Sequence, residues 1–236
     1  MIFLHNLFTF LIIPLDQEHS FLSKHISHRG LITNKYKENT IQAFKKTFEL
    51  GYSLETDLRY TKDNEIICFH DTNLRRIYNI NKTIKSLTYS DLNTLTKNTL
   101  KIPKLDSLLN IYNDKIDLFL ELKGIFKKKV LLKLLEKTKK YKRIIFISFY
   151  HKNLSNIKKI SSNRKIGASF YKYNKKYLVN LDKKLKLNCL ILDKKNINDP
   201  FFKSYKTKKY FYTIKKKETF FKYNKSNNLI IEHECL

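Results

Sequence analysis

The sequence predicts an α/β fold with a parallel sheet, of a size to close as an eight-stranded barrel. Three observations carry this. Strand-like apolar runs alternate with amphipathic helical runs, the pattern of parallel strands joined by crossover helices. Nine strand candidates can be counted, one more than a ring of eight requires, so one lies outside the ring or is not a strand. The 236 residues, 42% hydrophobic and 14% aromatic, are enough for one barrel domain with a full core. No Pro/Gly/Ser-rich linker and no internal repeat divides the chain, which excludes a disordered or solenoid protein.

Taken in order, Ser23–Ser27 reads as a short strand feeding His28. Asn39 is placed as a helix N-cap, with Gln42 completing a capping box. Ile41, Phe44 and Phe48 then recur at helical spacing, and Gly51 stops a helix over 40–50. Residues 53–58 alternate as a strand, with Leu54, Thr56 and Leu58 on one face and Glu55 and Asp57 on the other. A turn at 61–64 leads to a strand over 65–70. Residues 72–104 read as irregular apart from a short helix at 89–95, and Pro103 closes them before a helix over 105–112. The run 115–123 alternates cleanly, placing Glu121 and Lys123 on one face. Phe126, Val130, Leu131, Leu134 and Leu135 mark an amphipathic helix. Strands over 143–149, 165–170, 188–192 and 209–214 follow, with helices over 151–160, 174–182 and 216–224. Leu229–Ile231 is the last apolar run.

The formal charge of +27 is unevenly placed. Residues 1–122 carry 16 Lys/Arg and 14 Asp/Glu, whereas residues 123–225 carry 32 and 5. Such a field attracts polyanions. Compositional drift toward Lys, Asn, Ile, Phe and Tyr is the favoured account of it, and no specific nucleic-acid partner is expected. Weak contact with an anionic membrane surface is the interaction it would suit. Cys68, Cys189 and Cys235 show neither paired nor metal-type spacing, which excludes a disulfide scaffold and a zinc site and favours a reducing compartment, the cytoplasm. Residues 1–22 are set apart as an N-terminal extension, and the domain is taken as 23–236. Met1–Pro14 is apolar but too short to span a bilayer, with no basic flank or small-residue cleavage site, and reads as packed on the domain or as a weak interfacial anchor.

Chemistry concentrates between Ile26 and Asp71. Glu55 and Asp57, two apart on a strand, leave the same face, and Glu121 is the natural third carboxylate. Oxygen-only ligation suits one Mg²⁺ or Ca²⁺ rather than Zn²⁺. His28 and His70 both end apolar runs and titrate near neutral pH, as the acid and base of a phosphodiester cleavage must. Arg29 is suited to clamp a phosphate and Lys123 to offset developing charge. Gly30 permits a tight turn where a Cβ would crowd the anion. Asp71 is read as structural or orienting. His5, His19, His25, His151 and His233 are read as surface or packing residues.

Read in order, His28-Arg29-Gly30, Glu38-Asn39-Thr40, Glu55-Thr56-Asp57, His70-Asp71, Ile102-Pro103-Lys104-Leu105 and Glu121-Leu122-Lys123 resemble the HRG, ENT, ExD, HD, IPTL and ELK motifs of the glycerophosphodiester phosphodiesterases. The resemblance is dense over 26–124, and Ser148-Phe149 extends it. It thins beyond, where Tyr212 stands for a tryptophan and a closing TDxP motif is missing; Lys104 replaces the threonine of IPTL. The resemblance implies a TIM (β/α)₈ barrel with its site at the C-terminal ends of the strands. It implies His28 and His70 as acid/base catalysts, Glu55, Asp57 and Glu121 as ligands of one divalent cation, and Arg29 and Lys123 as phosphate-binding residues. The family reaction is hydrolysis of a glycerophosphodiester, such as glycerophosphocholine, to glycerol 3-phosphate and an alcohol. A lysophospholipase D acting on lysolipids is the nearest rival, and a non-catalytic polyanion-binding barrel the more distant one.

Overall fold

The computed structural model describes residues 24–97 and 99–232. The expected N-terminal extension, His5, His19, His233 and Cys235 lie outside them. Eight parallel strands form a closed ring: β1 (Ile26–His28), β2 (Ser53–Tyr60), β4 (Leu118–Leu122), β5 (Ile144–Ser148), β6 (Lys165–Phe170), β7 (Cys189–Asp193), β8 (Lys208–Ile214) and β9 (Asn228–Ile231). They pair in chain order, and β1 closes the ring by pairing with both β2 and β9.

The surplus ninth strand is β3 (Ile66–Cys68), which sits outside the ring. It runs antiparallel to the end of β2, with Leu58 opposite Cys68. So few residues separate β2 from β3 that only a hairpin fits. This strand is shorter than the 65–70 expected; beyond it Phe69 N still donates to Asp57 O of β2, and Cys68 N donates to Pro103 O on the other edge. The segment after it holds two short helices, α2 (Arg75–Tyr78) and α3 (Tyr89–Thr96). They enclose a small core of their own, built on Ile67, Phe69, Leu74, Ile84, Leu87, Leu92 and Ile102. Residues 72–104, expected to be irregular, thus form a supported insertion.

Helices α1 (Ile41–Glu49), α4 (Leu105–Leu109), α5 (Lys128–Lys137), α6 (His151–Ile160), α7 (Lys175–Leu185), α8 (Pro200–Ser204) and α9 (Lys217–Tyr223) cover the ring. Strand alternation divides the core in two. Leu54, Leu58, Leu118, Leu120, Leu122 and Phe146 point outward to meet Phe44, Val130, Leu131 and Leu134 of the helices. Ile26, Phe119, Ile145, Ile147, Cys189, Ile191, Tyr210 and Ile230 fill the barrel axis. Gly167 belongs to this inner face, because a Cβ there would lie 2.4 Å from Cys189 Sγ. The next inner-facing residues along β1, β4 and β8 are His28, Glu121 and Tyr212, and β2 adds Glu55 and Asp57 to the same face. The period of two that fills the axis with apolar groups therefore delivers these polar groups to its C-terminal mouth.

One local expectation fails. The N-cap of α1 is Thr40, whose side chain accepts from Ala43 N, and not Asn39. Asn39 adopts φ +54° and turns its side chain into the barrel mouth, because a buried carboxylate there needs its amide more than the helix does.

Candidate active site

The site begins where β1 ends. Arg29 and Gly30 take positive φ values of 60° and 86°, turning the chain sharply. Gly30 is required there for packing, since a Cβ would lie 2.9 Å from Ala43 Cβ. That crowding comes from α1. The turn aims Arg29 N at Glu55 Oε2, 3.1 Å away, and gives Arg29 O to Asn39 N at 2.8 Å. The register sets the remainder, with His28 opposite Glu55 and Asp57 opposite Glu121.

Glu55, Asp57 and Glu121 converge, with one carboxylate oxygen of each lying within 4.8 Å of the others, and all three are buried. Burial, then repulsion from Asp57 and Glu121, raises the Glu55 carboxyl well above its usual range. Burial likewise pushes Glu121 up to about 7, against the pull of Lys123. Burial would raise Asp57 too, but Arg29 and Lys123 outweigh it and hold that carboxyl well below the usual range. The contacts match: Arg29 Nε lies 3.0 Å from Asp57 Oδ2, and Lys123 Nζ lies 2.9 Å from Glu121 and 3.6 Å from Asp57. Arg29 Nε makes this an ion pair without an aligned hydrogen bond. Asn39 Nδ2 supplies one instead, donating to Asp57 Oδ2 at 3.0 Å, while Asn39 Oδ1 accepts from Thr56 Oγ1 at 2.7 Å. Glu55 Oε1 is buried with no hydrogen-bond partner. Three close carboxylates with an unsatisfied oxygen make a donor set that fits a hard divalent cation.

Each histidine is anchored through Nδ1, which leaves Nε2 for chemistry. His28 Nδ1 meets Glu232 Oε1 at 3.1 Å, and Nε2 lies 4.0 Å from Glu55. His70 Nδ1 meets Asp71 Oδ1 at 2.6 Å. The orienting role read for Asp71 therefore has its contact, although strand alternation had put the two side chains apart; β3 has already ended there. Burial lowers both imidazoles from their ordinary value, opposed at His28 by the Glu232 hydrogen bond and at His70 by the charge of Asp57. Asp71 also accepts from Arg76 at 2.7 Å, and Arg76 reaches Glu38 at 2.6 Å, which in turn holds Arg29 at 3.3 Å.

All seven residues singled out in the sequence, His28, Arg29, Glu55, Asp57, His70, Glu121 and Lys123, meet here. Asn39, Arg76 and Glu232 were missed. For Glu232 one signal existed: it stands two beyond Ile230, on the inward face of β9. Of the histidines set aside, His25 packs edge-on against Phe220, and His151 contacts Tyr177 and Ser169 O. Cys68 and Cys189 are buried unpaired thiols, as expected.

Two spaces meet at Glu121 and Phe149. A pocket of about 30 Å³ on the barrel axis holds His28 and Tyr212. A cavity of about 660 Å³ runs outward past His70. No helix among the described residues is long and apolar enough to cross a membrane.

Known proteins are similar to this chain in sequence and in fold. A glycerophosphodiester phosphodiesterase from Caldanaerobacter subterraneus is 32% identical over 160 residues, 61% of this chain and 65% of that protein. Lysophospholipase D GDPD1 of Homo sapiens is 44% identical over 73 residues, 30% of this chain and 23% of that one. The chain thus spans less than two thirds of either relative's length. The crystal structure of a glycerophosphodiester phosphodiesterase from Thermotoga maritima superposes with a TM-score of 0.75 at 25% identity, covering 89% of this chain and 93% of that one. An Oleispira antarctica phosphodiesterase, solved with its product sn-glycerol-3-phosphate, gives a TM-score of 0.75 at 20% identity over 92% and 95% of the two chains, a likeness of fold. The profile described as the glycerophosphoryl diester phosphodiesterase family matches residues 28–230, nearly the whole ring. With the family profile covering well over half of the chain, from the end of β1 into β9, this chain belongs to the glycerophosphoryl diester phosphodiesterase family.

Proposed function

We propose that this chain hydrolyses glycerophosphodiesters to glycerol 3-phosphate and an alcohol, using His28 and His70 as acid and base. The observation that carries the reading is the pair of imidazoles, each tied at Nδ1 to a carboxylate, lining two spaces that meet at Glu121. A neutral imidazole whose Nδ1–H is engaged offers Nε2 as a base, and its protonated form offers the same atom as an acid. Lowered pKa values keep a neutral fraction available at physiological pH. Glu55, Asp57 and Glu121 would hold one divalent cation, Mg²⁺ or Ca²⁺, which supplies Lewis-acid polarisation of the phosphoryl group when bound. Arg29 binds and orients a phosphate oxygen through its guanidinium fork, and Lys123 balances negative charge developing beside Glu121. Asn39 and the backbone of Arg29 keep Asp57 and Glu55 in place.

The lysolipid reading is favoured by one observation, the 44% identity to a protein named lysophospholipase D over 73 residues. We assign the activity to the cytoplasm on the two buried, unpaired thiols, with any membrane contact weak and electrostatic. One coupled assay for glycerol 3-phosphate, run with Mg²⁺, Ca²⁺ and EDTA, tests the proposal. Turnover is expected to stop on chelation, and His28→Ala or His70→Ala to lower it roughly 10²-fold or more with the fold intact. Turnover surviving both EDTA and His28→Ala would sink the mechanism. Choline release from lysolipid without release from glycerophosphocholine would favour the rival.

A further inference from the structure

The hydrolase reading leaves open which alcohol the site accepts, and the large cavity bears on this. The inference rests on that reading. The axial pocket, at about 30 Å³, has room for a hydroxyl or a water and no more. The cavity of about 660 Å³, which His70, Glu121 and Lys123 line, is large enough for the body of the alcohol.

Charged groups on that cavity's wall are Arg59, Lys85, Lys123 and Glu121. Lys123 and Glu121 are paired with each other. Arg59 is not paired with any carboxylate: Nε donates to His70 O at 2.7 Å and Nη1 to Lys123 O at 3.3 Å, both backbone carbonyls. A guanidinium stays charged, and carbonyls orient that charge without neutralising it. Lys85 stands exposed at the rim with Nζ 5.2 Å from the centroid of the Tyr60 ring. Among the described residues, no ion pair to Arg59 or Lys85 is formed. Asp57, Asp71 and Glu121 act on Arg59 through space without touching it, so Arg59 and Lys85 both present positive charge to the cavity.

The aromatic walls do not offset this. A quaternary ammonium is recognised by open ring faces. Here Phe149 is stacked on Tyr171 at 4.1 Å and has Lys123 Nζ 5.8 Å from its centroid, while Tyr60 carries Lys85. A cationic head group reaching Phe149 or Tyr60 meets a ring already facing a cation, while Tyr150 and Tyr171 are the exposed rings left on that wall.

We propose that Arg59 and Lys85 select glycerophosphodiesters whose leaving alcohol bears an additional negative charge, a phosphate or carboxylate, over those bearing a quaternary ammonium. Lys85 is the specificity-determining residue that can be changed safely, because it is exposed and, apart from its contact with the Tyr60 ring, its ammonium makes no ion pair among the described residues.

The experiment compares kcat/KM for three diesters sharing the glycerol 3-phosphate arm: glycerophosphoinositol 4-phosphate, glycerophosphoglycerol and glycerophosphocholine. The expected order is anionic, neutral, cationic, with about tenfold or more between the ends, the scale set by one or two charges several ångströms away in a wet cleft. Lys85→Glu should narrow or invert that ratio by about tenfold and leave the neutral substrate within about threefold. A preference for the choline diester overturns the proposal. So does an equal loss on all three with Lys85→Glu, which would place Lys85 on the shared phosphodiester. Calorimetric binding of inositol 4-phosphate and choline to the same proteins separates this inference from the hydrolase reading. Charge-ordered binding without turnover of any diester would sink the hydrolase reading and support the selectivity, whereas equal binding of the two alcohols overturns it.

Discussion

Asn39→Ala tests how the site is held. Asn39 is 3% exposed and serves three purposes. Its amide donates to Asp57 Oδ2 at 3.0 Å, its carbonyl accepts from the Thr56 hydroxyl at 2.7 Å, and its backbone sits at φ +54°. Losing the first removes a hydrogen bond to an ionised group, worth about 2 kcal/mol. Losing the second leaves a buried hydroxyl without its acceptor, about 1 kcal/mol. Alanine in the left-handed region adds about 1 kcal/mol, a conformation asparagine tolerates because its short polar side chain bonds locally. The sum is about 4 kcal/mol, a large part of a typical domain's stability. Urea denaturation of wild type, Asn39→Ala and Asn39→Gly measures it. The glycine variant is free of the left-handed penalty and should cost about 1 kcal/mol less than alanine. A calorimetric Mg²⁺ or Ca²⁺ titration should show weaker binding in both variants, because Asp57 keeps only Arg29 and Lys123. An Asn39→Ala variant within 1 kcal/mol of wild type, with unchanged cation affinity, would refute the reasoning.

Glu232→Gln should lower kcat about tenfold and move the acid limb of the pH–kcat/KM profile to lower pH, because Glu232 raises the pKa of His28 and glutamine does not; an unmoved limb would detach Glu232 from the chemistry. Burial, with help from Lys24, lowers His25 from 6.5 to about 4. The folded state thus favours neutral His25, whose Nδ1 accepts from Leu229 N. Its contribution is complete above pH 6.5 and is lost as pH falls toward 4, about 3 kcal/mol in all. The stability difference between wild type and His25→Gln should change by that amount across the window, measured by denaturant unfolding at each pH, and a constant difference would contradict it.

What could be read from the sequence follows from the range of the interactions. Glu55 and Asp57 were legible because two residues on a strand share a face, a purely local relation. Glu121 and Lys123 were legible for the same reason. The hairpin to β3 was legible in the shortness of its turn, but the bond from Cys68 N to Pro103 O on its other edge, 35 residues on, was not. Asn39 was misread because a local capping rule competed with a hydrogen bond to a residue 18 positions away, and the buried charge won. Glu232 meets His28 across 204 residues, a contact that exists only once β9 has closed against β1. Arg76 reaches Glu38 and Asp71 only because α2 is set by the small core of the insertion.

The distribution of these contacts also accounts for the thinning of the motifs after residue 124. Strands β1, β2 and β4, with the hairpin after β2, supply every carboxylate, histidine and phosphate-facing cation of the proposed mechanism. From β5 onward the strands supply Phe149, Tyr212 and, just past β9, Glu232, together with the walls of the ring. Those strands need only alternate, placing Ile145, Ile147, Ile191 and Ile230 on the axis and Phe146, Leu190 and Leu229 against the helices. Many sequences meet that requirement. Lysine on the outer helix faces is compatible with it, since the long stem can cover apolar surface while the ammonium stays in water. Drift toward a basic, lysine-rich second half therefore leaves closure of the barrel intact. The two cations proposed to select the alcohol come instead from the charge-balanced first half: Arg59 and Lys85 line the large cavity, so the proposed selectivity does not depend on the drift.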